Sequence, residues 1–204
     1  MTQVAILIFD DVEVLDFCGP YEVFSVTRRA DGEQPFDVFT VAERSGPVLA
    51  RNGLSVNPDY TFDDCPPPDI LVVPGGRGTR TLLGNTVVTD WIAQVSGDVD
   101  LTLSVCTGSL VLAQAGLLEG LAATTHHSAF DELRAIDPQV DVREGARFVD
   151  NGAIITSAGI SAGLDMSLYV VARLLGHQTA VETAAYMEYD WRDSENGPAP
   201  SPPL

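Results

Sequence analysis

The residues best suited to chemistry lie in LTLSVCTGSL, residues 101–110, where an apolar, strand-like run ends at a lone cysteine. A helical pattern begins directly behind Cys106, and in open α/β sheets reactive groups gather at such junctions, at the carboxyl ends of the strands. A side chain on so sharp a turn has close backbone neighbours, so small residues are needed two positions before it and two after it. Ser104 and Gly108 meet that need. The pattern indicates a nucleophile elbow at Cys106.

The same junction predicts an activated thiol. The following helix would direct its free N–H groups and positive dipole end at the sulfur of Cys106, which would lower the pKa of the thiol and favour a thiolate. The alternative interpretation is a buried core cysteine, the usual situation of a free cysteine.

A glycine turn could supply further donors. The apolar run 70–74 ends in Pro-Gly-Gly, and Gly75 and Gly76 would let backbone N–H groups approach a ligand closely. The amide of Gly76, together with that of Thr107, could form an oxyanion hole. An ordinary strand-ending turn would have the same sequence.

An acidic residue is the second candidate for catalysis. The stretch LDFCGPYEVF, residues 15–24, places Asp16 after the loop of the first strand and before a helix. A loop carboxylate or local cap would account for it. The functional alternative is an acid near Cys106, with a pKa raised by burial beside a thiolate, that exchanges a proton with the substrate.

Two adjacent histidines occur in ATTHHSAF, residues 123–130. His126 or His127 could supply a base for the nucleophile, whereas hydrogen-bonded structural histidines are the other interpretation. Neither a metal site nor a cofactor is expected. The three cysteines include no C-x-x-C pair, so neither a disulfide framework nor a thiolate zinc site is indicated.

The elements that must position these groups follow from the apolar pattern. Nearly continuous apolar runs predict strands buried on both faces, at residues 4–9, 70–74, 101–106 and 153–159. Further strands are predicted at 36–42 and at 53–62, the latter near an edge because Pro58 cannot join a central ladder. Helical patterns occupy residues 19–29, 85–96, 109–118, 128–136 and 161–178, the last with a stop at Gly176. This alternation predicts a flavodoxin-like α/β fold, a three-layer α/β/α sandwich with a mostly parallel sheet.

Length and termini suggest a simple organisation. The 204 residues suit one domain, assigned to residues 1–190, followed by a polar, proline-rich tail at 191–204. The N-terminus lacks the features of a secretory signal, and no apolar run approaches the roughly eighteen residues of a membrane span. A cytoplasmic protein without membrane contact is therefore expected.

The charge balance excludes several function classes. Eleven basic residues face 29 acidic ones, the formal net charge is -18, and no residue is a lysine. Such a field disfavours nucleic acid and anionic membranes as partners. The lack of lysine excludes a Schiff base and a Walker-type phosphate loop. Adaptation of a solvated surface to high salt and compositional drift both account for the acidity.

The motifs together resemble the ThiJ/PfpI superfamily, with its class I glutamine amidotransferase-like fold, and in particular its isocyanide hydratase branch. The resemblance covers residues 3–190 and rests on LDFCGP, PGG, SVCTGSLVLAQAGLLEG, ATTHH and ITSAGISAGLD. It implies a homodimer with Cys106 as nucleophile and Asp16 as its carboxylate partner. It also implies that Thr107 places a hydroxyl beside the sulfur and that Gly76 is an amide donor.

Several departures narrow the expected activity. Protease-like and glyoxalase-like members carry a histidine directly after the cysteine or a glutamate in place of Asp16, whereas Thr107 follows the cysteine here. Amidotransferases carry a late H-x-E, but the late histidine of this chain stands in HQT, residues 177–179. Related regulators add a C-terminal helix-turn-helix pair, for which this acidic chain ends too early.

The expected function is therefore the cysteine-dependent hydration of an isocyanide, a small-molecule substrate, to an N-formamide. Two alternatives stay open. One is a glyoxalase-like, deglycase-like or other hydrolytic activity of the same superfamily. The other is a non-catalytic redox or small-molecule sensor, in which the thiolate of Cys106 is oxidised.

Overall fold

The four apolar runs of the sequence lie side by side in one sheet. The computed structural model describes residues 1–191. Its strands in chain order are β1 (Thr2–Leu7), β2 (Phe36–Ala42), β3 (Val48–Leu49), β4 (Ser55–Val56), β5 (Tyr60–Thr61), β6 (Ile70–Val73), β7 (Leu101–Val105), β8 (Ala122–Ala123), β9 (Asp141–Val142), β10 (Phe148–Asp150) and β11 (Ile154–Ser157). Its α-helices are α1 (Val14–Val26), α2 (Thr79–Leu82), α3 (Thr86–Asp98), α4 (Gly108–Gln114), α5 (Phe130–Ile136), α6 (Ala162–Leu175) and α7 (His177–Tyr186).

Seven of these strands form the central sheet, in the order β10-β11-β7-β6-β1-β2-β5. All neighbouring pairs are parallel except β10 with β11. Helices α1, α6 and α7 contact one another on one side of the sheet, and α2, α3, α4 and α5 do so on the other. The predicted three-layer α/β/α sandwich with a mostly parallel sheet is confirmed.

Burial explains why the central strands lack alternation. Every residue of β6 and β7 is buried, because helices cover both faces of the sheet there. The small or hydroxylated residues Thr102 and Ser104 of β7 are buried with the apolar ones. The edge strand β5 contains only two residues, and Pro58 precedes it, as the predicted position near an edge requires.

The structure corrects several element boundaries. The first helix begins at Val14 rather than at residue 19, so Pro20 lies inside α1 and cannot donate to the carbonyl of Asp16. The strand predicted at 53–62 is broken, because β4 pairs with β3 in a separate small sheet. The predicted stop at Gly176 is confirmed, but a further helix, α7, follows it directly.

The segment with the two histidines is also less regular than expected. The strand before it, β8, has only two residues and pairs with β9 outside the central sheet. A 3-10 turn over His127–Ala129 then leads into α5. Residues 192–204 of the predicted tail lie outside the described part of the chain, and Trp191 packs against the core. Within residues 1–191, no helix combines the length and apolarity needed to cross a membrane.

Candidate active site

Cys106 occupies a strained turn between β7 and α4. Its φ angle is 57°, in the left-handed region that residues with a side chain rarely adopt. The turn brings Gly108 so close to β6 that a Cβ atom there would lie 2.0 Å from the carbonyl oxygen of Val73. The small residue required two positions after the cysteine is therefore a steric necessity. The elbow predicted from the sequence is present.

Hydrogen bonds hold both sides of this strained residue. The backbone N–H of Cys106 donates to the carbonyl oxygens of Ser157 and Ala158, each at 3.1 Å. Its own carbonyl oxygen accepts the hydroxyl of Thr125 at 3.0 Å and that of Ser109 at 3.2 Å. The surrounding structure thus fixes a backbone conformation that the residue would not adopt by itself.

The carboxyl group of Asp16 lies beside the sulfur. Asp16 is fully buried in the first turn of α1, and its Oδ2 accepts the N–H of Gly75 at 3.0 Å. The Asp16 carboxyl and the Cys106 thiol interact through a side-chain hydrogen bond that affects the pKa of each group. Among the described residues, Oδ1 of Asp16 has no partner that meets the geometry of a hydrogen bond. The N–H of Gly75 therefore fixes one carboxyl oxygen and holds the carboxyl group beside the sulfur.

Burial dominates the protonation of this pair. Burial raises the pKa of Asp16 to about 7, against the opposing effect of the Gly75 N–H. Burial and then the charge of Asp16 raise the pKa of Cys106 to about 12. The expectation of a lowered thiol pKa is wrong, because Cys106 is only 5% exposed and desolvation outweighs the opposing effect of the nearby N–H groups. Between these two pKa values the pair carries one negative charge, which either group can hold.

Two backbone amides, those of Thr107 and Ile160, favour the charge on sulfur. Both lower the pKa of Cys106 by hydrogen bonding. The amide of Gly76, predicted as an oxyanion donor, instead donates to the hydroxyl of Thr107 at 3.0 Å. That hydroxyl also donates to the carbonyl oxygen of Gly76 at 3.2 Å and accepts the hydroxyl of Thr79. Thr107 therefore contributes its amide to the sulfur, and its side chain ties the glycine turn in place.

The glycine turn has no room for side chains. A Cβ atom on Gly75 would lie 2.5 Å from the backbone nitrogen of Thr107 and 2.8 Å from Oδ2 of Asp16. Gly76 has a φ of 127° and forms an antiparallel bridge with Val12, next to the start of α1. The turn thereby joins the segment that carries the acid to the segment that follows β6.

Substitution of Gly75 by alanine is expected to destabilise the protein by about 1 to 3 kcal/mol, since the new methyl group meets backbone atoms that cannot move aside. The matched control is Gly97→Ala in α3, where nothing lies within 4 Å and alanine favours the helix. Thermal unfolding followed by circular dichroism measures both. Equal melting temperatures for the two variants would show that the turn yields easily.

The two histidines lie at the edge of this site. The ring of His126 packs against Gly159, where a Cβ atom would lie 2.4 Å from its Cδ2, and its Nδ1 bonds to the hydroxyl of Ser128 at 2.8 Å. The rings of His126 and His127 lie 4.2 Å apart. Burial and then the neighbouring His127 lower the pKa of His126. Within residues 1–191, neither histidine bonds to Cys106 or Asp16, so the structure assigns them no proton to carry.

Sequence reasoning missed Ile160 and Glu13. Ile160 follows β11, the neighbour of β7, and has a φ of 54°. The sequence pattern that could have indicated Ile160 is SAGISAG, in which small residues surround Ile160 as they surround Cys106. Glu13 raises the pKa of both Asp16 and His126 through its charge, and its N–H donates to the carbonyl oxygen of Gly75 at 2.9 Å.

A cavity of about 730 Å³ does not have this pair in its lining. Its lining runs from the ends of β1 and β2 to residues 77–88, and includes neither Cys106 nor Asp16. In the described part of the chain, no cluster of three or more His, Cys, Asp or Glu side chains could hold a metal ion.

The fold and the site together define a flavodoxin-like sandwich with a cysteine on a strand-to-helix elbow and a buried carboxyl group beside it. The chain belongs to the DJ-1/PfpI family, whose sequence model matches residues 2–173. The resemblance inferred from the motifs is thereby confirmed.

The names of the similar proteins describe different functions. The chain is 36% identical over 202 residues to isonitrile hydratase of Pseudomonas putida, covering 99% of this chain and 81% of that protein. It is 32% identical over 178 residues to the HTH-type transcriptional regulator CdhR of Pseudomonas aeruginosa, which covers 87% of this chain and 52% of the regulator. The chain thus matches about half of that regulator. A crystal structure of a ThiJ/PfpI family protein from Pseudomonas syringae matches with a TM-score of 0.83 and 32% identity, over 97% of this chain and 79% of that one.

Proposed function

We propose that this protein is an enzyme that hydrates isocyanides to N-formamides, with Cys106 as nucleophile and Asp16 as proton carrier. The observation that carries the proposal is the buried pair itself, a thiol beside a carboxyl group whose pKa of about 7 lets it exchange a proton near neutral pH. The similarity over nearly the whole chain to an isonitrile hydratase supports it. The restricted access to the sulfur of Cys106 also supports the proposal. Cys106 is 5% exposed, which suits the slender terminal carbon of an isocyanide better than a branched electrophile.

The first step is addition of the thiol across the terminal carbon. Asp16, as a carboxylate, takes the proton of Cys106, and the amides of Thr107 and Ile160 stabilise the thiolate so formed. The sulfur attacks the terminal carbon, a carbon–sulfur bond forms, and Asp16 returns the proton to that carbon. The product is a thioimidate, R–N=CH–S–Cys, that contains the isocyanide and the thiol and no other atoms.

The second step is hydrolysis of the thioimidate. Asp16 is again a carboxylate and takes a proton from a water molecule, whose oxygen attacks the same carbon, and passes that proton to the nitrogen, which gives R–NH–CH(OH)–S–Cys. Asp16 then takes the hydroxyl proton as the carbonyl group forms and the carbon–sulfur bond breaks, and it gives this proton to the leaving sulfur. The products are R–NH–CHO and the free thiol, so one water is consumed for each isocyanide.

Formamide production from an alkyl or aryl isocyanide by the purified protein tests the proposal, at low and at molar salt. Turnover supports the hydratase, and a need for salt would link the net charge of -18 to a saline habitat. If formamide is absent at both salt concentrations while methylglyoxal is consumed, the glyoxalase or deglycase alternative replaces it.

The pH dependence follows from the raised pKa of Asp16. The competent form holds Asp16 as a carboxylate, and burial raises its pKa to about 7, so this form is lost as the pH falls through 7. We expect kcat/KM to be half-maximal near pH 7 and to fall about tenfold per pH unit below it. Initial rates between pH 5 and 9 measure this. A flat profile over that range would mean that no group with a pKa near 7 takes part.

The sensor alternative has one observation in its favour, the similarity to part of a transcriptional regulator. Oxidation of a cysteine needs a thiolate that is accessible to the oxidant. Mass spectrometry after mild peroxide distinguishes the two functions. Selective oxidation of Cys106, in a protein that converts neither isocyanides nor glyoxals, would favour the sensor.

A further inference from the structure

The turn after β11 contains a residue with an unfavourable backbone conformation. Ile160, whose backbone N–H lowers the pKa of the Cys106 thiol, has a φ of 54°. A β-branched side chain makes this conformation unfavourable, at a cost the surrounding contacts must offset. The preceding Gly159 is packed against the ring of His126, and Ala158 accepts the N–H of Cys106. Contacts from outside the turn therefore help to hold residues 158–161 in this conformation.

Arg147 provides contacts at both ends of this turn. Its carbonyl oxygen accepts the N–H of Ala158 at 2.9 Å, which extends the pairing of β10 with β11. Its guanidinium donates from Nη2 to the hydroxyl of Ser161 at 3.1 Å and from Nε to Oδ2 of Asp165 at 2.5 Å. One residue at the edge of the sheet thus spans the strained segment from its first residue to its last.

The partner of Arg147 is itself fixed. The side chain of Asp165 is 1% exposed in the first turn of α6, whereas that of Arg147 is 30% exposed. Oδ1 of Asp165 accepts the hydroxyl of Tyr189 at 3.0 Å, so both carboxylate oxygens have partners. A buried carboxylate bound from two sides is costly to disturb. The start of α6 is therefore tied to the sheet edge and to the segment after α7.

We propose that Arg147 is a positioning residue that, through Asp165 and Ser161, keeps the Ile160 turn in its strained conformation and the Ile160 N–H on the Cys106 sulfur. It does not contact the reacting atoms. The inference rests on the proposed role of Cys106 as nucleophile, but its test measures the sulfur directly. Failure of the hydratase proposal would leave the test unaffected.

The test compares Arg147→Met and Ser161→Ala with the wild type at pH 8.5 and 25 °C. We expect alkylation of Cys106 by iodoacetamide to slow about tenfold in Arg147→Met and less in Ser161→Ala, since the thiolate loses a hydrogen bond to a charged acceptor. Peptide mass spectrometry gives the rate at Cys106 relative to that at Cys18. The pH dependence of the alkylation rate gives the apparent pKa of the Cys106 thiol, which does not depend on access of the reagent.

Two further variants separate positioning from general stability. Arg173→Met is the matched control, because Arg173 binds Asp150 and the carbonyl oxygen of Gly152 in the β10–β11 hairpin but not residues 158–161. Arg147→Lys keeps the charge opposite Asp165 and should restore part of the alkylation rate. If Arg147→Met and Ser161→Ala only lower the melting temperature, and leave the rate ratio and the apparent pKa of the Cys106 thiol unchanged, the proposal is wrong. Should Arg147→Met fail to fold, Ser161→Ala decides alone.

Discussion

Replacement of Cys106 by alanine is expected to abolish formamide production while leaving the fold intact. The sulfur forms the bond to substrate carbon in the proposed reaction, and loss of a nucleophile that acts as part of a unit costs on the order of 10⁴-fold or more in kcat. The strained backbone at φ 57° is as unfavourable for alanine as for cysteine, so the substitution adds little strain. We expect the free energy of unfolding to change by about 1 kcal/mol, the cost of removing one buried atom.

Formamide release by liquid chromatography and thermal unfolding of the same sample measure the two effects. Cys18→Ala is the matched control, because Cys18 is half-buried on α1, two residues from Asp16, and has no role in the proposed chemistry. Turnover by Cys106→Ala at the rate of the wild type would exclude the thioimidate mechanism. Equal loss in both variants would point to disturbance of α1 rather than to the sulfur.

Replacement of Asp16 by asparagine is expected to lower activity by about 10² to 10⁴-fold and to stabilise the fold at pH 8. Activity falls because an amide cannot carry the proton between sulfur, substrate and water. Stability rises because the pKa of Asp16 is raised from 3.8 to about 7, which corresponds to roughly 4 kcal/mol against the ionised form. An unpaired buried amide offsets part of this, so we expect a net gain of about 1 to 3 kcal/mol.

The sign of this effect depends on pH. A group whose folded pKa is raised contributes its stability fully below the unfolded value, near pH 3.8, and loses it as the pH rises through about 7. Asp16→Asn should therefore melt at a higher temperature than the wild type at pH 8 and show no such advantage at pH 4. Thermal unfolding at both pH values measures this. A variant that is less stable at pH 8 would show that the carboxylate is well accommodated in the folded protein.

The sequence was sufficient to predict the strands because burial leaves a plain signal. Continuous apolar runs are needed where helices cover both faces of a sheet, and β1, β6, β7 and β11 are such strands. The start of α1 was predicted five residues late because Pro20 looked like a first-turn proline, whereas the helix tolerates it in its interior. Short strands such as β8 have too few residues for any periodicity to show.

Some features of the site could also be predicted from the sequence, and others could not. The elbow at Cys106 and the acid at Asp16 were predictable, because small residues around a cysteine at a strand end and a carboxyl group between a strand and a helix are local patterns. The direction in which the pKa of the Cys106 thiol is shifted could not be predicted, since it depends on how completely the neighbouring residues exclude water. The amide of Ile160 was missed because a backbone N–H has no residue type to mark it. Pairing of the chain into a homodimer stays a prediction.

The order of the strands has a consequence for how activity is lost. Asp16, Gly75, Cys106 and Ile160 follow four strands that are adjacent in the sheet, β1, β6, β7 and β11, although they are up to 144 positions apart in the sequence. No contiguous fragment shorter than that span contains all four groups, and their arrangement exists only when the whole middle of the sheet is paired. Turnover is therefore a reporter of global folding cooperativity, because a partly folded chain that lacks any one of these strands has no site at all.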